Sequence, residues 1–245
     1  MDAPDLSSFT FEHQGITHQV FTTGSGPGVL LMHELPGMTP QCLRLADRLT
    51  EEGYKVYLPL FFGKVGRRSN WVGNLWCVRR EFSLWAANET SPIVDWLRAL
   101  TKRIWQECGG KGVGAIGMCL TGNFAIALLA QPWVQAPVSC QPSLPFRVLG
   151  DAAGLALSPA DLAAVKAEAN RRESPAIVAT RFAGDWICPA KRFHTLEKEL
   201  GDKVEEIILP GNKHATLTEH FVDEQGHPTR QALDRILEFL RQRLR

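Results

Sequence analysis

The amino-acid sequence predicts a single α/β domain over residues 1–245, built on a mostly parallel sheet with helices on both faces. Short apolar runs typical of buried strands alternate with segments whose apolar residues recur at helical spacing. The alternation continues to the last residues, and a length of 245 residues suits one such domain. A Rossmann-type fold has the same order, but no GxGxxG sequence follows the first core strand.

The first elements are a hairpin, two core strands and a helix. Residues 9–22 hold two runs of strand-forming residues around a glycine turn. Residues 29–33 form a continuous apolar run, which is typical of a strand buried on both faces. Apolar spacing predicts a helix over 40–52, and a run ended by a proline predicts a strand over 54–59.

The middle of the chain predicts an irregular region and then a strand between two helices. Residues 60–90 show no clear periodicity, and we expect them to form a loop region over the functional site. A serine–proline pair is a good start for a helix over 91–108. A strand over 112–117 and a helix over 120–130 follow.

The last part of the chain begins with a segment that predicts no defined element. This segment, residues 136–157, is rich in proline and small residues. Beyond it the alternation resumes, with a helix over 159–171, a strand over 175–182, a helix over 189–200, a strand over 204–209 and a helix over 229–244.

Composition argues against several functional classes. The net charge is +1 and the Lys and Arg residues are dispersed, whereas a nucleic-acid surface needs a basic stripe. The first residues are acidic and lack the apolar region of a signal peptide. Apolar runs stay well below the roughly 18 residues of a membrane-spanning helix. We therefore expect a cytoplasmic protein, a monomer or small homo-oligomer, that binds neither nucleic acid nor membrane.

The spacing of the cysteines also argues against a metal site. All six lie far apart, without CxxC or another zinc-binding spacing, so we expect neither a metal site nor a cofactor. Most of them are interpreted as small buried hydrophobic residues.

Cys119 departs from that interpretation because of its surroundings. It lies in the stretch Gly117-Met118-Cys119-Leu120-Thr121-Gly122, between a predicted strand and a predicted helix. This is the form of a nucleophile elbow, a sharp turn that exposes its nucleophile at the edge of the sheet, with a thiol in place of the usual serine. The start of a helix favours the thiolate, which is the reactive form of cysteine. The stretch predicts an acyl-transfer hydrolase.

A thiol nucleophile needs a base, and the base needs a group that orients it. Asp185 follows one predicted strand and His214 follows the last one, so both are expected at the same edge of the sheet as Cys119. Alternatively, Asp185 caps the next helix and His214 is a surface residue. His194 and His220 are weaker candidates because they fall in or beside helix-like segments.

An early loop supplies a further candidate element, His33-Glu34-Leu35-Pro36-Gly37. In this type of fold the loop gives one backbone N–H of the oxyanion hole, and the residue after the nucleophile gives the other. The candidates are Leu35 and Leu120. Glu34 either accepts the thiol proton, restrains the resting state or is a solvated loop carboxylate, and His33 is interpreted as structural.

Together these residues resemble the dienelactone hydrolase family, whose loops read E-x-x-G, G-x-C-x-G-G, G-x-D-x-x-x-P and G-x-x-H. The corresponding stretches of this chain are Glu34–Gly37, Gly117–Gly122, Ala183–Pro189 and Gly211–His214, and the resemblance spans about residues 29–240. It implies an α/β-hydrolase fold with Cys119 as nucleophile, His214 as base and Asp185 as its orienting partner. It also implies that Glu34 helps to ionise the thiol.

Two positions depart from the family pattern. Thr121 replaces the first glycine of the usual pair, and Thr218 stands where the resemblance implies an arginine that holds a substrate carboxylate. A second substrate arginine would fall at Arg79 or Arg80. An aromatic wall is expected from Phe61, Trp71, Trp76 and Trp85, because small-molecule pockets are commonly apolar.

The predicted function is hydrolysis of a small ester or lactone through a Cys-His-Asp triad, with a substrate more apolar than a dienelactone. One alternative is a non-catalytic protein of the same fold that binds a ligand or partner. Another is a thiol-based redox sensor, for which Cys188 is the candidate resolving cysteine.

Overall fold

The computed structural model describes residues 6–69, 90–143 and 153–245. Numbered along the chain, the strands are β1 Ser7–His13, β2 Ile16–Thr23, β3 Gly28–Met32, β4 Lys55–Leu60, β5 Val113–Met118, β6 Val134–Cys140, β7 Ile177–Phe182 and β8 Val204–Leu209. They form one sheet in the order β1-β2-β4-β3-β5-β6-β7-β8. β2 pairs antiparallel with both β1 and β4, and the other neighbours are parallel.

Helices cover both faces of this sheet, as predicted. Within the described residues they are α1 Pro40–Glu51, α2 Pro92–Cys108, α3 Leu120–Leu128, α4 Pro159–Asn170, α5 Ala190–Leu200 and α6 Pro228–Leu244. Apolar residues of α1 and α6 form a core on one face, and those of α2 to α5 form a core on the other. In the ranges described, no helix has the length and apolarity to cross a membrane.

Local chemistry explains where these helices begin. Proline occupies the first turn of α1, α2, α4 and α6, where its missing N–H costs no hydrogen bond. The Thr39 hydroxyl accepts from the N–H of Cys42 at 3.3 Å, and the Ser158 hydroxyl accepts from the N–H of Asp161 at 3.1 Å. Each bond satisfies a backbone donor that the helix leaves open.

The prediction for residues 136–157 was wrong in its first part. β6 lies in the centre of the sheet between β5 and β7, and Pro137 pairs with Ala115. Proline is rare in central strands because it cannot donate to the ladder, which is why the segment resembled a loop. Burial of the strand between the two cores outweighs the missing donor. Residues 144–152 of the same segment lie outside the described ranges.

The parallel strands decide where the site lies. Strands β3, β5, β6, β7 and β8 run in the same direction, so the loops that follow them leave the sheet at one edge. Crevices at the carboxyl ends of parallel strands are the usual binding place in open α/β sheets.

Candidate active site

Cys119 occupies the sharp turn between β5 and α3, as predicted. Its φ of 56° and ψ of −120° lie in a region that non-glycine residues rarely adopt. The turn needs a glycine two residues earlier, because a Cβ on Gly117 would lie 2.1 Å from the carbonyl oxygen of Thr121. The strained turn leaves Cys119 7% exposed and facing a cavity.

Thr121 fits the elbow and stabilises it. Its hydroxyl accepts from the N–H of Met118 at 2.8 Å and lies 3.1 Å from the carbonyl oxygen of Met32. The side chain therefore joins the end of β5 to the end of β3, and so takes a structural role where the family pattern has glycine.

Asp185 lies at the end of β7 and is 3% exposed. Its Oδ1 accepts from the N–H groups of Ile187 at 2.9 Å and Cys188 at 3.1 Å. Its Oδ2 lies 2.7 Å from Nδ1 of His214. The carboxylate does not cap the next helix, α5, because that helix begins after Pro189 with no side-chain cap.

A backbone contact explains why the Asp185 and His214 loops meet. The N–H of Gly184 donates to the carbonyl of Gly211 at 2.8 Å. Gly184 has little room for a side chain, since a Cβ there would lie 3.1 Å from that carbonyl oxygen. The close approach of the two loops brings the carboxylate within reach of the imidazole.

The charge of His214 reflects its two neighbours. Burial alone lowers its pKa, but the hydrogen bond and charge of Asp185, together with the nearby sulfur of Cys119, raise the pKa of His214 to about 10. Nδ1 donates to Asp185, while Nε2 is buried and makes no hydrogen bond of normal geometry to the described residues. The arrangement stabilises an imidazolium close to the sulfur.

Glu34 faces the same cavity as Cys119 and His214, so it is not a solvated loop carboxylate. It is 6% exposed and accepts a short hydrogen bond from the hydroxyl of Thr218. Burial raises the pKa of Glu34, while Thr218 and the charge of His214 act in the opposite direction. The hydroxyl of Thr218 is therefore engaged in a hydrogen bond to Glu34.

His33 holds the backbone of this loop. The N–H of Phe61 donates to Nε2 at 3.2 Å, so Nδ1 carries the hydrogen and donates to the carbonyl of Glu34 at 3.0 Å. That carbonyl belongs to the same planar peptide as the N–H of Leu35, which must point the opposite way. The structural interpretation of His33 agrees with these contacts.

The cavity has a volume of about 460 Å³. It is lined by Glu34, Leu35, Pro36, Arg68, Ser69, Cys119, Ser143, Trp186, Ile187, His214, Ala215, Glu219 and His220. Leu120, the other predicted backbone donor, is buried at the start of α3 beside the nucleophile.

Several of these residues were missed by the sequence analysis. Ser143 places its hydroxyl 2.9 Å from Sγ of Cys119. It was missed because it follows β6, the strand whose sequence resembled a loop. Arg68 and Glu219 form a bidentate ion pair on the cavity wall, with Nη1 2.8 Å from Oε1 and Nη2 3.2 Å from Oε2. Of the two histidines named as weaker candidate bases, His220 lines the cavity and His194 is exposed on α5.

The predicted substrate-binding residues Arg79, Arg80, Trp71, Trp76 and Trp85 lie outside the described residues. Phe61 is buried against the ring of His33 and does not line the cavity, so its predicted place in an aromatic wall was wrong. Across the described ranges, no three His, Cys, Asp or Glu side chains group closely enough to hold a metal ion.

Comparison with known proteins identifies similar sequences. A model of the Dienelactone hydrolase family matches residues 17–244. A carboxymethylenebutenolidase from Rhodococcus opacus is 28% identical over 113 residues. That match spans 46% of this chain and 42% of the relative, which is less than half the length of either protein.

Solved structures share the fold. A dienelactone hydrolase from Anabaena variabilis is 19% identical, with a TM-score of 0.66 over 99% of this chain and 100% of that one. An α/β serine hydrolase without a lid from Xanthomonas campestris is 12% identical, with a TM-score of 0.61 over 98% and 95% of the two chains. The predicted α/β-hydrolase fold is therefore confirmed.

Proposed function

The chain belongs to the dienelactone hydrolase family, and we propose that it hydrolyses a small ester or lactone through a thioester on Cys119. One observation carries the proposal. A single cavity brings together a cysteine on a strained strand-to-helix turn and a histidine that is hydrogen-bonded to a buried aspartate. Nucleophile, base and orienting carboxylate are the parts that acyl transfer requires.

The first half of the proposed reaction forms the thioester. The Cys119 thiolate attacks the substrate carbonyl carbon and a carbon–sulfur bond forms. The bond to the leaving oxygen then breaks, and the His214 imidazolium gives that oxygen its Nε2 proton. The raised pKa of His214 suits this step, because a proton donor is present at neutral pH.

The second half releases the acid. Neutral His214 takes a proton from water, the resulting hydroxide attacks the thioester carbonyl, and the carbon–sulfur bond breaks. The thiolate leaves and the imidazolium is restored. Asp185 accepts from Nδ1 throughout, so Nε2 remains the atom that gives and receives the proton.

The developing oxyanion needs donors on the opposite side of the carbonyl. The backbone N–H groups of Leu120 and Leu35 are proposed for this role. Leu120 opens α3, where the helix dipole favours negative charge. The peptide of Leu35 is held by His33, which suits a preorganised donor because it costs no reorganisation during reaction.

Glu34 is proposed as the group that receives the thiol proton when the thiolate forms. It lines the same cavity as Cys119, and burial raises its pKa from the ordinary value, so its protonated form becomes accessible nearer neutral pH. A proton acceptor works best when its pKa approaches the operating pH.

The cavity wall favours a neutral acyl group. Among the described residues, Arg68 is the lining arginine, and its guanidinium is already paired with both oxygens of Glu219. Leu35, Pro36 and Ile187 add apolar surface. A substrate carboxylate would meet Glu34 and Glu219 there, so an uncharged ester or lactone is the proposed substrate class.

The redox-sensor alternative is less well supported. Burial raises the pKa of Cys188 to about 12, with the charge of Asp185 adding to the effect. A resolving cysteine must attack as a thiolate, and this environment disfavours that form.

Hydrolysis of p-nitrophenyl acetate and of an enol-lactone tests the proposal. Wild type should be active, and Cys119→Ala should lose at least about 10³-fold, since its residual rate rests on binding and the oxyanion hole alone. Cys108→Ala is the matched control, because Cys108 ends α2 and contacts Tyr57 instead of the cavity. Equal activity in Cys119→Ala and wild type would contradict the proposal.

A further inference from the structure

Ser143 provides the sulfur of Cys119 with a hydrogen-bond partner. Its Oγ lies 2.9 Å from Sγ, and the residue is 2% exposed. It follows β6, the strand next to the one that ends at the nucleophile. No part of the triad mechanism above requires this hydroxyl, so its position calls for a separate explanation.

The backbone of Ser143 is fixed to the elbow from two sides. Its N–H donates to the carbonyl of Cys119 at 3.1 Å. Its own carbonyl accepts from Nδ2 of Asn123, on α3, at 2.9 Å. The hydroxyl is therefore delivered to the sulfur by a backbone that the elbow itself holds.

The direction of the hydrogen bond follows from the charge state. When Cys119 is a thiolate beside the His214 imidazolium, the sulfur carries no hydrogen, so the serine hydroxyl must be the donor. We propose that Ser143 is a positioning residue that donates its hydroxyl hydrogen to the Cys119 thiolate and holds Sγ at the cavity. This inference rests on the proposed role of Cys119 as nucleophile.

Other groups also influence the charge of the sulfur and must be held constant in a test. His214 and Glu34 face the cavity from the loops after β8 and β3, and Arg68, Glu219 and His220 complete its charged lining. Asp185 reaches it through His214, and Cys188 is electrostatically coupled to Cys119 from the loop after β7. The substitution Ser143→Ala replaces none of these side chains, so all of them are present in both proteins that the test compares.

The test is the pH dependence of Cys119 alkylation by iodoacetamide, measured on the Cys119 peptide by mass spectrometry. Ser143→Ala keeps both backbone bonds and removes the hydroxyl. We expect the pH of half-maximal alkylation to rise by about one unit, because a hydrogen bond to a charged group is lost. Ser143→Thr, which keeps a hydroxyl, should return the midpoint toward the wild-type value.

Ser139→Ala is the matched control. Ser139 is a fully buried serine of β6 whose hydroxyl donates to the carbonyl of Gly122 at 2.9 Å, close to the elbow but away from the sulfur. Its midpoint should equal that of wild type. An unchanged midpoint in Ser143→Ala, or an equal shift in Ser139→Ala, would overturn the proposal.

Alkylation separates this inference from the proposed function, because it needs no substrate. Full hydrolysis by Cys119→Ala would reject the proposed nucleophile while leaving the alkylation midpoints measurable. Hydrolysis that depends on Cys119, together with an unshifted midpoint in Ser143→Ala, would reject the role of Ser143 alone.

Discussion

Nδ1 of His214 lies 2.7 Å from Oδ2 of Asp185, although 29 residues separate them in the chain. The other carboxylate oxygen is occupied by two backbone N–H groups of its own loop. Its own loop therefore fixes the carboxylate, and in the neutral imidazole this contact keeps the hydrogen on Nδ1. Nε2, which is buried and makes no hydrogen bond of normal geometry to the described residues, is the ring nitrogen that the proposed mechanism uses for proton transfer.

Asp185→Asn should reduce kcat/KM for p-nitrophenyl acetate by about 10³- to 10⁴-fold without unfolding the protein. The amide oxygen can still accept from Ile187 and Cys188, so the amide nitrogen would face Nδ1 and favour the wrong tautomer. Asp202→Asn is the control, because that side chain contacts Ser174 far from the cavity. A loss below tenfold would contradict an orienting role for Asp185.

His214 should titrate with a pKa near 10 in wild type and at a lower value in Cys119→Ala, which loses the neighbouring sulfur. The raised pKa means that the folded state holds this proton more tightly. The protonation of His214 therefore stabilises the folded state fully below pH 6.5, and this stabilisation is lost as the pH rises through about 10. NMR titration of nitrogen-15-labelled histidine measures the change. Identical values in both proteins would show that the sulfur does not influence His214.

Glu34→Gln should stabilise the protein relative to wild type by an amount that grows as the pH rises above 4.5, even as it lowers activity. Burial raises the pKa of Glu34 above its ordinary 4.5. The protonated carboxyl therefore stabilises the folded state fully below pH 4.5, and this stabilisation is lost as the pH rises. Glutamine keeps an acceptor for Thr218 and does not ionise. Urea unfolding at several pH values measures the difference, and the exposed Glu224→Gln serves as control. A stability difference that does not vary with pH would contradict the prediction.

Glu219→Gln should raise kcat/KM several-fold for an ester with an anionic acyl group, such as mono-p-nitrophenyl glutarate. The change removes the carboxylate that occupies Arg68 and would repel the substrate. Activity on neutral p-nitrophenyl butyrate should stay close to wild type. Glu238→Gln breaks a remote ion pair with Arg241 and controls for net charge. Equal effects on both esters would argue against charge selection by this pair.

Strand ends could be predicted from the sequence because they depend on local patterns. A buried apolar run followed by a small-residue turn is sufficient to place Cys119, and the same logic places Asp185 and His214. Parallel strands then bring the three residues to one edge, without any knowledge of side-chain packing.

The misassigned strand and the missed residues depend on long-range packing. β6 contains Pro137, which local rules exclude from a central strand, and it is stabilised by the cores on both sides. Ser143 lies in the loop directly after β6. Because β6 was not predicted as a strand, no local pattern gave a reason to place Ser143 near the site. The pairing of Arg68 with Glu219 joins residues 151 positions apart and has no local signal.

The neutral imidazole of His33 has a consequence for how pH affects the candidate site. Burial lowers the pKa of His33 to about 4, so one tautomer persists over the range in which the protein would be assayed. The bond from Nδ1 to the carbonyl of Glu34 is then constant, and the Leu35 peptide keeps one orientation in weak acid and in weak base. A change of rate across that range therefore does not arise from titration of His33 or from a turn of the Leu35 peptide.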